Sequence, residues 1–353
     1  MLFEAIKKRG VQPHVDDISI LKGKTLVVDG NLLVNTYFRA NSTADEWLTR
    51  FGAFLKMCLD EEISLIMVFD GPPQEVKAGE RQKRKDRREE MRVKLETLEK
   101  EYKTWTENGE MGATMQKQLM STRRKTKLLK PLPECTKEEV EEQMTYIMDQ
   151  LRKANVCISH DDYGEAKRVC DRLKIPMFLA HGEGEKLGAF LTLKGDADAI
   201  LSKDSDCFPL GAEWIVTEIK TGDENKVKLQ RPLVVSFKLS EVLSAFQFTF
   251  EQFQMFCVLC GTDFNSSIYG MGCEYAFRLV TRCKTREAII AELDSRVVPE
   301  HPGVKRKRGE NATIFASDLA ALKFDSTWEL FKDFSNEDEG KKRIEVVYNF
   351  NFL

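Results

Sequence analysis

Six carboxylates in this chain follow short apolar runs, and their types and spacing suit the holding of cations. Asp29 closes Lys24-Thr25-Leu26-Val27-Val28, and Asp70 closes Ile63-Ser64-Leu65-Ile66-Met67-Val68-Phe69. Glu183 and Glu185 come shortly after Met177-Phe178-Leu179-Ala180, and Asp204 and Asp206 shortly after Ala199-Ile200-Leu201. In open parallel α/β sheets ligands bind outside the carboxyl ends of the strands, so acids at four successive strand ends would share one edge. Residues two apart do not share a helix face. Each pair can therefore converge only on an extended segment, in a turn or in the first turn of a helix. So many carboxylates in one cleft cannot all stay ionised unaided; either their pKa values rise or cations neutralise them. Oxygen ligands with no nearby His or thiolate favour magnesium or manganese. Two such ions can activate water and stabilise the leaving oxygen of a phosphodiester. Any one of these Asp residues could simply cap a helix or turn; that reading serves a single residue better than the set.

The other ligand-forming types do not join this pattern. His14, His160, His181 and His301 fit no metal-binding spacing and read as surface or core residues. Cys257 and Cys260 have the C-x-x-C spacing, but a zinc site needs a second ligand pair, and Cys273 with Cys283 is poorly spaced for one. Both thiols lie in an apolar helical run, where buried cysteine is ordinary.

The elements that must position the acids read as alternating strand and helix. Strands at 24–29 and 63–70 flank helical stretches through about Tyr37 and from Glu46 to Glu61, a β-α-β arrangement with a parallel sheet. From Gly79 to Lys103 the chain is charged and rich in helix formers, with little apolar surface to bury. Gly109 to Lys130 is polar and basic and reads as loosely ordered. Thr136-Lys137-Glu138-Glu139 has the form of a capping box opening a helix to about Lys153. Helix over 164–173, strand at 177–180, helix over 183–194 and a strand at 199–201 follow. Trp214-Ile215-Val216 and Leu233-Val234-Val235 add strands, and the chain is mostly helical from Leu239.

Composition bounds the setting. The 353 residues are 42% hydrophobic, enough for a substantial core, and the net charge is −3. That total hides an asymmetry: residues 77–130 hold 17 Lys/Arg against 9 Asp/Glu, a net +8, which leaves −11 for the rest. Such a division suits a protein that holds phosphates with one part and metal ions with another. No apolar run reaches the roughly 18 residues of a membrane span, and Met1 to Gln12 has no signal-peptide core. Nine cysteines are too few for a disulfide scaffold and fit a reducing compartment. The expectation is a soluble intracellular monomer, in the nucleus or at a viral or cytoplasmic replication site.

In its ordered motifs the sequence resembles the flap endonuclease/XPG (Rad2-like) family of structure-specific 5′ nucleases. The motifs are Val27-Val28-Asp29-Gly30, then Val68-Phe69-Asp70-Gly71-Pro72-Pro73, then Lys77-Ala78-Gly79-Glu80 with Arg84 and Arg87-Arg88. Glu183-Gly184-Glu185 follows, then Asp198-Ala199-Ile200-Leu201-Ser202-Lys203-Asp204-Ser205-Asp206-Cys207. The last block is Gly261-Thr262-Asp263-Phe264 with Ser267-Ile268-Tyr269-Gly270-Met271-Gly272. The resemblance implies an α/β, PIN-like nuclease domain with a mostly parallel central sheet, an inserted helical arch and a helix-hairpin-helix C-terminal region. It implies nuclease segments at 1–76 and 161–238, a basic arch or cap at 77–160, a hairpin region at 239–300 and a C-terminal extension at 301–353.

The resemblance also implies roles for single residues. Asp29, Asp70, Glu183, Glu185, Asp204, Asp206 and Asp263 would hold two Mg2+ ions, for which Mn2+ could substitute. Lys77 and Arg84 would contact the scissile phosphate, and Arg81, Arg87 and Arg88 would contact DNA. Gly270 and Gly272 would let backbone N–H groups approach a duplex phosphate, often with a monovalent cation between. The implied partner is branched or flapped DNA, and the implied reaction leaves a 5′-phosphate. Outside these motifs, the basic cluster Arg123, Arg124, Lys125, Lys127 and Lys130 reads either as a solvated loop or as a holder of the 5′ single strand by sequence-independent phosphate contacts.

Several features depart from the family pattern. Leu2 follows the initiator Met where the family usually has Gly. Cys273 and Glu274 follow the hairpin glycines in place of Pro and a basic residue, which weakens the expected duplex grip. The stretch from Asp70 to Glu183 is longer than usual, and Tyr348 to Leu353 lacks a sliding-clamp motif. These departures suit a viral or otherwise remote member. Rival readings are a 5′→3′ exonuclease or RNA-directed nuclease of the same fold, and a non-catalytic DNA-junction binder. A dehalogenase-type phosphatase needs Asp-x-Asp after its first strand, whereas Gly30-Asn31 follows Asp29.

Overall fold

The computed structural model describes residues 2–40, 44–72, 78–122, 135–155, 157–221, 231–301, 305–309 and 312–332. The first half runs α1 (Leu2–Lys8), β1 (His14–Asp17), β2 (Thr25–Asp29), α2 (Gly30–Ala40), α3 (Ala44–Asp60) and β3 (Ser64–Phe69). Three helices then intervene: α4 (Ala78–Asn108), α5 (Ala113–Thr122) and α6 (Lys137–Asn155). The alternation resumes with α7 (His160–Arg172), β4 (Met177–Leu179), α8 (Gly184–Lys194), β5 (Ala199–Leu201), β6 (Trp214–Lys220) and β7 (Leu233–Lys238). The end is helical: α9 (Leu239–Phe246), α10 (Phe250–Cys260), α11 (Cys273–Cys283), α12 (Arg286–Asp294), α13 (Ala316–Leu322) and α14 (Phe324–Lys332).

The strands form one seven-stranded sheet in the order β1-β7-β6-β5-β2-β3-β4. Neighbours from β6 through β5, β2 and β3 to β4 are parallel. β7 pairs antiparallel with both β6 and β1. Alternation along the strands fills a core on each face. Val27, Val68, Ile200 and Ile215 point into one, with α8 to α11. Leu26, Val28, Met67 and Leu201 point into the other, with α2, α3 and α7. Burial on both faces is why these strands read as unbroken apolar runs.

One expectation needs correction: the segment after Gly109 is not loose throughout. Leu98 and Trp105 of α4 pack with Met115 and Leu119 of α5 and with Val140, Met144, Ile147 and Met148 of α6. These eight side chains make a satellite core away from the sheet. Polar composition masked the four-residue spacing of Met115 and Leu119, which marks one helical face. The capping box at the start of α6 is present: Thr136 N–H donates to Glu139 (2.8 Å), and Glu139 N–H to the Thr136 hydroxyl (3.3 Å). Cys257 and Cys260 are buried core residues, as their apolar setting implies. Among the described residues no helix is long and apolar enough to cross a membrane.

Candidate metal centre and nucleic-acid interface

Adjacency in the sheet brings the acids together. β5, β2 and β3 are parallel neighbours, so the residues after Leu201, Val28 and Phe69 leave on one edge. From the outer strand β4 the chain turns back through α8, which packs over β2, β3 and β5. Gly71 permits the close approach this needs, because a Cβ there would collide with the Ala180 carbonyl oxygen. Gly184 N–H then donates to Asp70 Oδ1 at 2.8 Å, setting the start of α8 over the end of β3. Glu183 and Glu185 therefore occupy the first turn of a helix. That resolves their spacing, and the partial positive charge of the helix terminus favours carboxylates there.

Carboxylate oxygens of Asp70, Glu183 and Glu185 lie within 4.8 Å of one another. Asp29, only 5% exposed, is the buried floor of the edge. It accepts from Leu32 N–H at 2.9 Å, so it also caps α2. Its second oxygen accepts from the Ser202 hydroxyl at 3.3 Å, and the Glu185 carboxyl shares a hydrogen bond with it. Asp204 takes an extended backbone and accepts from Asp206 N–H at 2.8 Å, capping a single 3-10 turn. Capping and clustering are thus compatible: bonds to local N–H groups aim these carboxylates at the edge. Glu183, Glu185, Asp204 and Asp206 line one cleft with Lys186, Leu210, Phe264 and Leu330.

The electrostatics follow from crowding. Burial raises the Asp29 carboxyl above the usual range, and the Asp70 charge adds to this against the Leu32 N–H bond. Burial also raises Glu185, reinforced by Asp29, Asp204 and Asp70. These shifts are those expected when like charges share a poorly hydrated site. The pairs next to α8 and β5 converge as their places after strands predict.

The remaining predicted residues sit around this edge. Asp263 follows α10, beside the cleft residue Phe264, and its Oδ2 meets Arg84 Nη2 of α4 at 2.6 Å. That ion pair ties the long basic helix to the acidic edge. Arg81, Arg87 and Arg88 are exposed on the same helix. Lys77 lies outside the described residues, as do the cluster at 123–130 and the tail from Tyr348. Gly270 and Gly272 lie between α10 and α11. Gly270 has φ +77°, and its carbonyl accepts from Gly309 N–H at 2.9 Å. Gly272 caps α11 with open space where a Cβ would stand.

Two site residues escaped sequence reasoning. Asn31 Nδ2 donates to Asp70 Oδ2 at 2.7 Å, and Asp70 N–H donates to Asn31 Oδ1 at 3.2 Å. Ser202 links Asp29 to Asp204, whose N–H donates to the Ser202 hydroxyl at 3.1 Å. The signal was present, since each stands within two residues of an acid, but neither type is itself a strong ligand.

A mostly parallel sheet with acids along one edge, and a basic helix rooted beside them, defines a PIN-like nuclease fold. Comparison with known proteins agrees. Residues 2–91 match the XPG N-terminal domain and residues 174–263 the XPG I-region, together more than half of the chain. The chain belongs to the XPG/Rad2 family of nucleases.

Its relatives are distant. A RAD2-like endonuclease of Frog virus 3 is 26% identical over 275 residues, covering 78% of this chain and 73% of the relative. One from Invertebrate iridescent virus 3 is 24% identical over 344 residues, covering 92% and 89%. Flap endonuclease 1 of Entamoeba histolytica is 26% identical over 299 residues, covering 81% and 67%. Among solved structures, the catalytic core of Rad2 in complex with DNA substrate aligns over 96% of this chain and 97% of its own, with 15% identity and TM-score 0.51. The Holliday junction-resolving enzyme GEN1, with product DNA and Mg2+, aligns over 94% and 68%, with 14% identity and TM-score 0.53.

Proposed function

We propose that this protein is a magnesium-dependent, structure-specific 5′ nuclease that hydrolyses DNA phosphodiesters at flaps or junctions. The observation carrying this reading is the set of Asp70, Glu183 and Glu185 oxygens within 4.8 Å, beneath a basic helix that reaches the same edge through Arg84. The donors fit a hard divalent cation: all are carboxylate oxygens, with no His or Cys in the cluster. Burial, reinforced by neighbouring carboxylates, raises Asp29 and Glu185 above the usual carboxylate range, and bound cations would relieve the cost of ionising them. Asp29, Asp70, Glu183, Glu185, Asp204, Asp206 and Asp263 would hold two ions. When bound, such ions lower the pKa of water and stabilise charge on the leaving oxygen.

The protein's own residues orient and select. Asn31 and Gly184 N–H hold both oxygens of Asp70, and Ser202 holds Asp29 and Asp204 in register. Arg84 offers a guanidinium that a substrate phosphate would share with Asp263, stabilising charge that develops in the transition state. Lys77 would act beside it, and Arg81, Arg87 and Arg88 would track the strand. The hairpin at Gly270–Gly272 would grip duplex phosphate, with a monovalent cation between. This reading includes action as a monomer within the cell, where DNA is replicated, recombined or repaired.

Five-prime-labelled flap, gap, nick and fork DNAs, together with single-stranded RNA, tested in magnesium provide the test. Cleavage near the single-strand/double-strand junction is expected, with a 5′-phosphate product and little action on RNA. Asp206→Asn should abolish cutting while flap binding survives, because it weakens cation binding and spares the basic contacts. Wild-type rates for Asp206→Asn in magnesium would overturn the assignment.

A further inference from the structure

The hairpin turn is poorly supplied with positive charge by its own helix. Cys273 and Glu274 open α11, and the exposed Glu274 carboxylate is engaged by Arg9 (2.7 Å) and Arg278 (3.6 Å). Those ion pairs use nearby positive charge on Glu274 that a phosphate at the N-terminus of α11 would otherwise meet. The tertiary structure brings a second basic segment to the turn. Lys305-Arg306-Lys307-Arg308 crosses beside it, and Gly309 N–H donates to the Gly270 carbonyl at 2.9 Å. A Cβ at Gly270 would lie 3.0 Å from the Arg308 Cα, so the two backbones touch.

The segment is held at several points. Arg306 Nη2 meets both Asp318 oxygens at 2.9 Å, and its guanidinium lies over Tyr269 (4.8 Å) and Phe315 (4.4 Å). Arg308 donates to the Tyr269 hydroxyl at 3.0 Å. Lys307 N–H donates to the Thr313 hydroxyl at 2.9 Å, and Thr313 N–H to the Lys307 carbonyl at 3.2 Å. Arg306 is thus the structural anchor, compensated by Asp318. Lys305, Lys307 and Arg308 remain exposed, and neither lysine forms an ion pair among the described residues. A solvated loop needs no such anchoring. Charges held beside a glycine turn suit a regular array of phosphates, because little ordering entropy remains to be lost on binding.

We propose that Lys305, Lys307 and Arg308 form a duplex-phosphate strap across the hairpin, supplying the positive charge that the first turn of α11 lacks. This inference rests on the nuclease reading above and names a contact for the duplex arm of the substrate. The ligand is the phosphate backbone of double-stranded DNA, contacted without sequence preference.

The test compares wild type with Lys305→Ala/Lys307→Ala and Lys305→Glu/Lys307→Glu by fluorescence anisotropy in calcium. The probes are a flap substrate with a long duplex arm and a single-stranded oligonucleotide. Thermal melting confirms that the variants fold, and wild-type cleavage of the same flap in magnesium is measured alongside. For the double alanine variant, the slope of log affinity against log salt should become shallower by about 1.8 on the duplex substrate, roughly 0.9 per lost contact. The glutamate pair should lose more affinity, and the single strand should show no difference. Equal slopes on a flap that wild type cleaves would overturn the strap and leave the nuclease reading standing. Equal slopes accompanied by lost nuclear accumulation of a fused reporter would replace the strap with an import signal. Failure of wild type to cleave any branched substrate would overturn the nuclease reading itself.

Discussion

At the scale of single residues, the edge depends on groups that are not themselves charged. Asn31 satisfies Asp70 from two sides, donating to one carboxylate oxygen and accepting from the Asp70 backbone. Without it, Asp70 would keep its Gly184 bond but gain freedom about its remaining oxygen. Loss of partners that orient metal ligands typically weakens metal affinity 10–100-fold, to an order of magnitude. Asn31→Ala should therefore raise the magnesium concentration for half-maximal cleavage by roughly that factor, with much of the rate restored at saturation. A titration of rate against magnesium decides it, and an unchanged midpoint would remove Asn31 from the site. Neither Asn31 nor Ser202 is legible as functional in the sequence, because an amide or hydroxyl beside an acid is common in turns.

At the scale of elements, α4 to α6 carry their own core, and Arg84 of α4 pairs with Asp263 beside the acidic edge. Leu119 is buried against α4 and α6 in that satellite cluster. Leu119→Ala should cost about 2–5 kcal/mol of local stability, the usual range for a truncated buried leucine. Because the cluster is separate from the sheet, hydrogen exchange should quicken in α4, α5 and α6 while β2 and β3 keep their protection. Uniform loss across the molecule would show that the satellite core is coupled to the main one. Arg84 tests how this unit takes part in chemistry. Arg84→Ala should slow single-turnover cleavage far more than it weakens binding, as expected for a contact strengthened in the transition state. An effect confined to affinity would make Arg84 a phosphate clamp.

At the scale of the whole molecule, the crowded acids make stability depend on pH and cations together. Unfolded carboxyls ionise near pH 4, whereas Asp29 and Glu185 hold their protons to higher pH in the fold. The folded state therefore binds more protons in this window, and stability falls as pH rises above about 4. Without divalent ions, the melting temperature should drop from pH 5 towards pH 8, less steeply in Glu185→Gln. Calcium or magnesium should raise it, and by more at pH 8 than at pH 6, since the cation no longer competes with protons. At 100-fold over the dissociation constant the gain is about 2.7 kcal/mol. A cation effect independent of pH would separate these carboxyls from the metal centre.

Much of this could be read before any coordinates. Apolar runs of strand length ending in Asp29 and Asp70 state both the element and the acid that follows it, because burial on both faces demands continuous hydrophobicity. The acidic pairs and Thr136-Lys137-Glu138-Glu139 are likewise local signals, set by turn and capping chemistry. What needed the tertiary structure was neighbourhood. The order β5-β2-β3-β4, the return of α8 over β3, and the pairing of the polar β1 with β7 depend on contacts between residues far apart in the chain. The satellite core was hidden because its eight apolar side chains are scattered over three mainly polar helices. In sequence, Lys305 to Arg308 reads as a nuclear-import signal or a solvated loop; only folding sets it beside Gly270. Local chemistry specifies which residues can act, while long-range packing decides which of them act together.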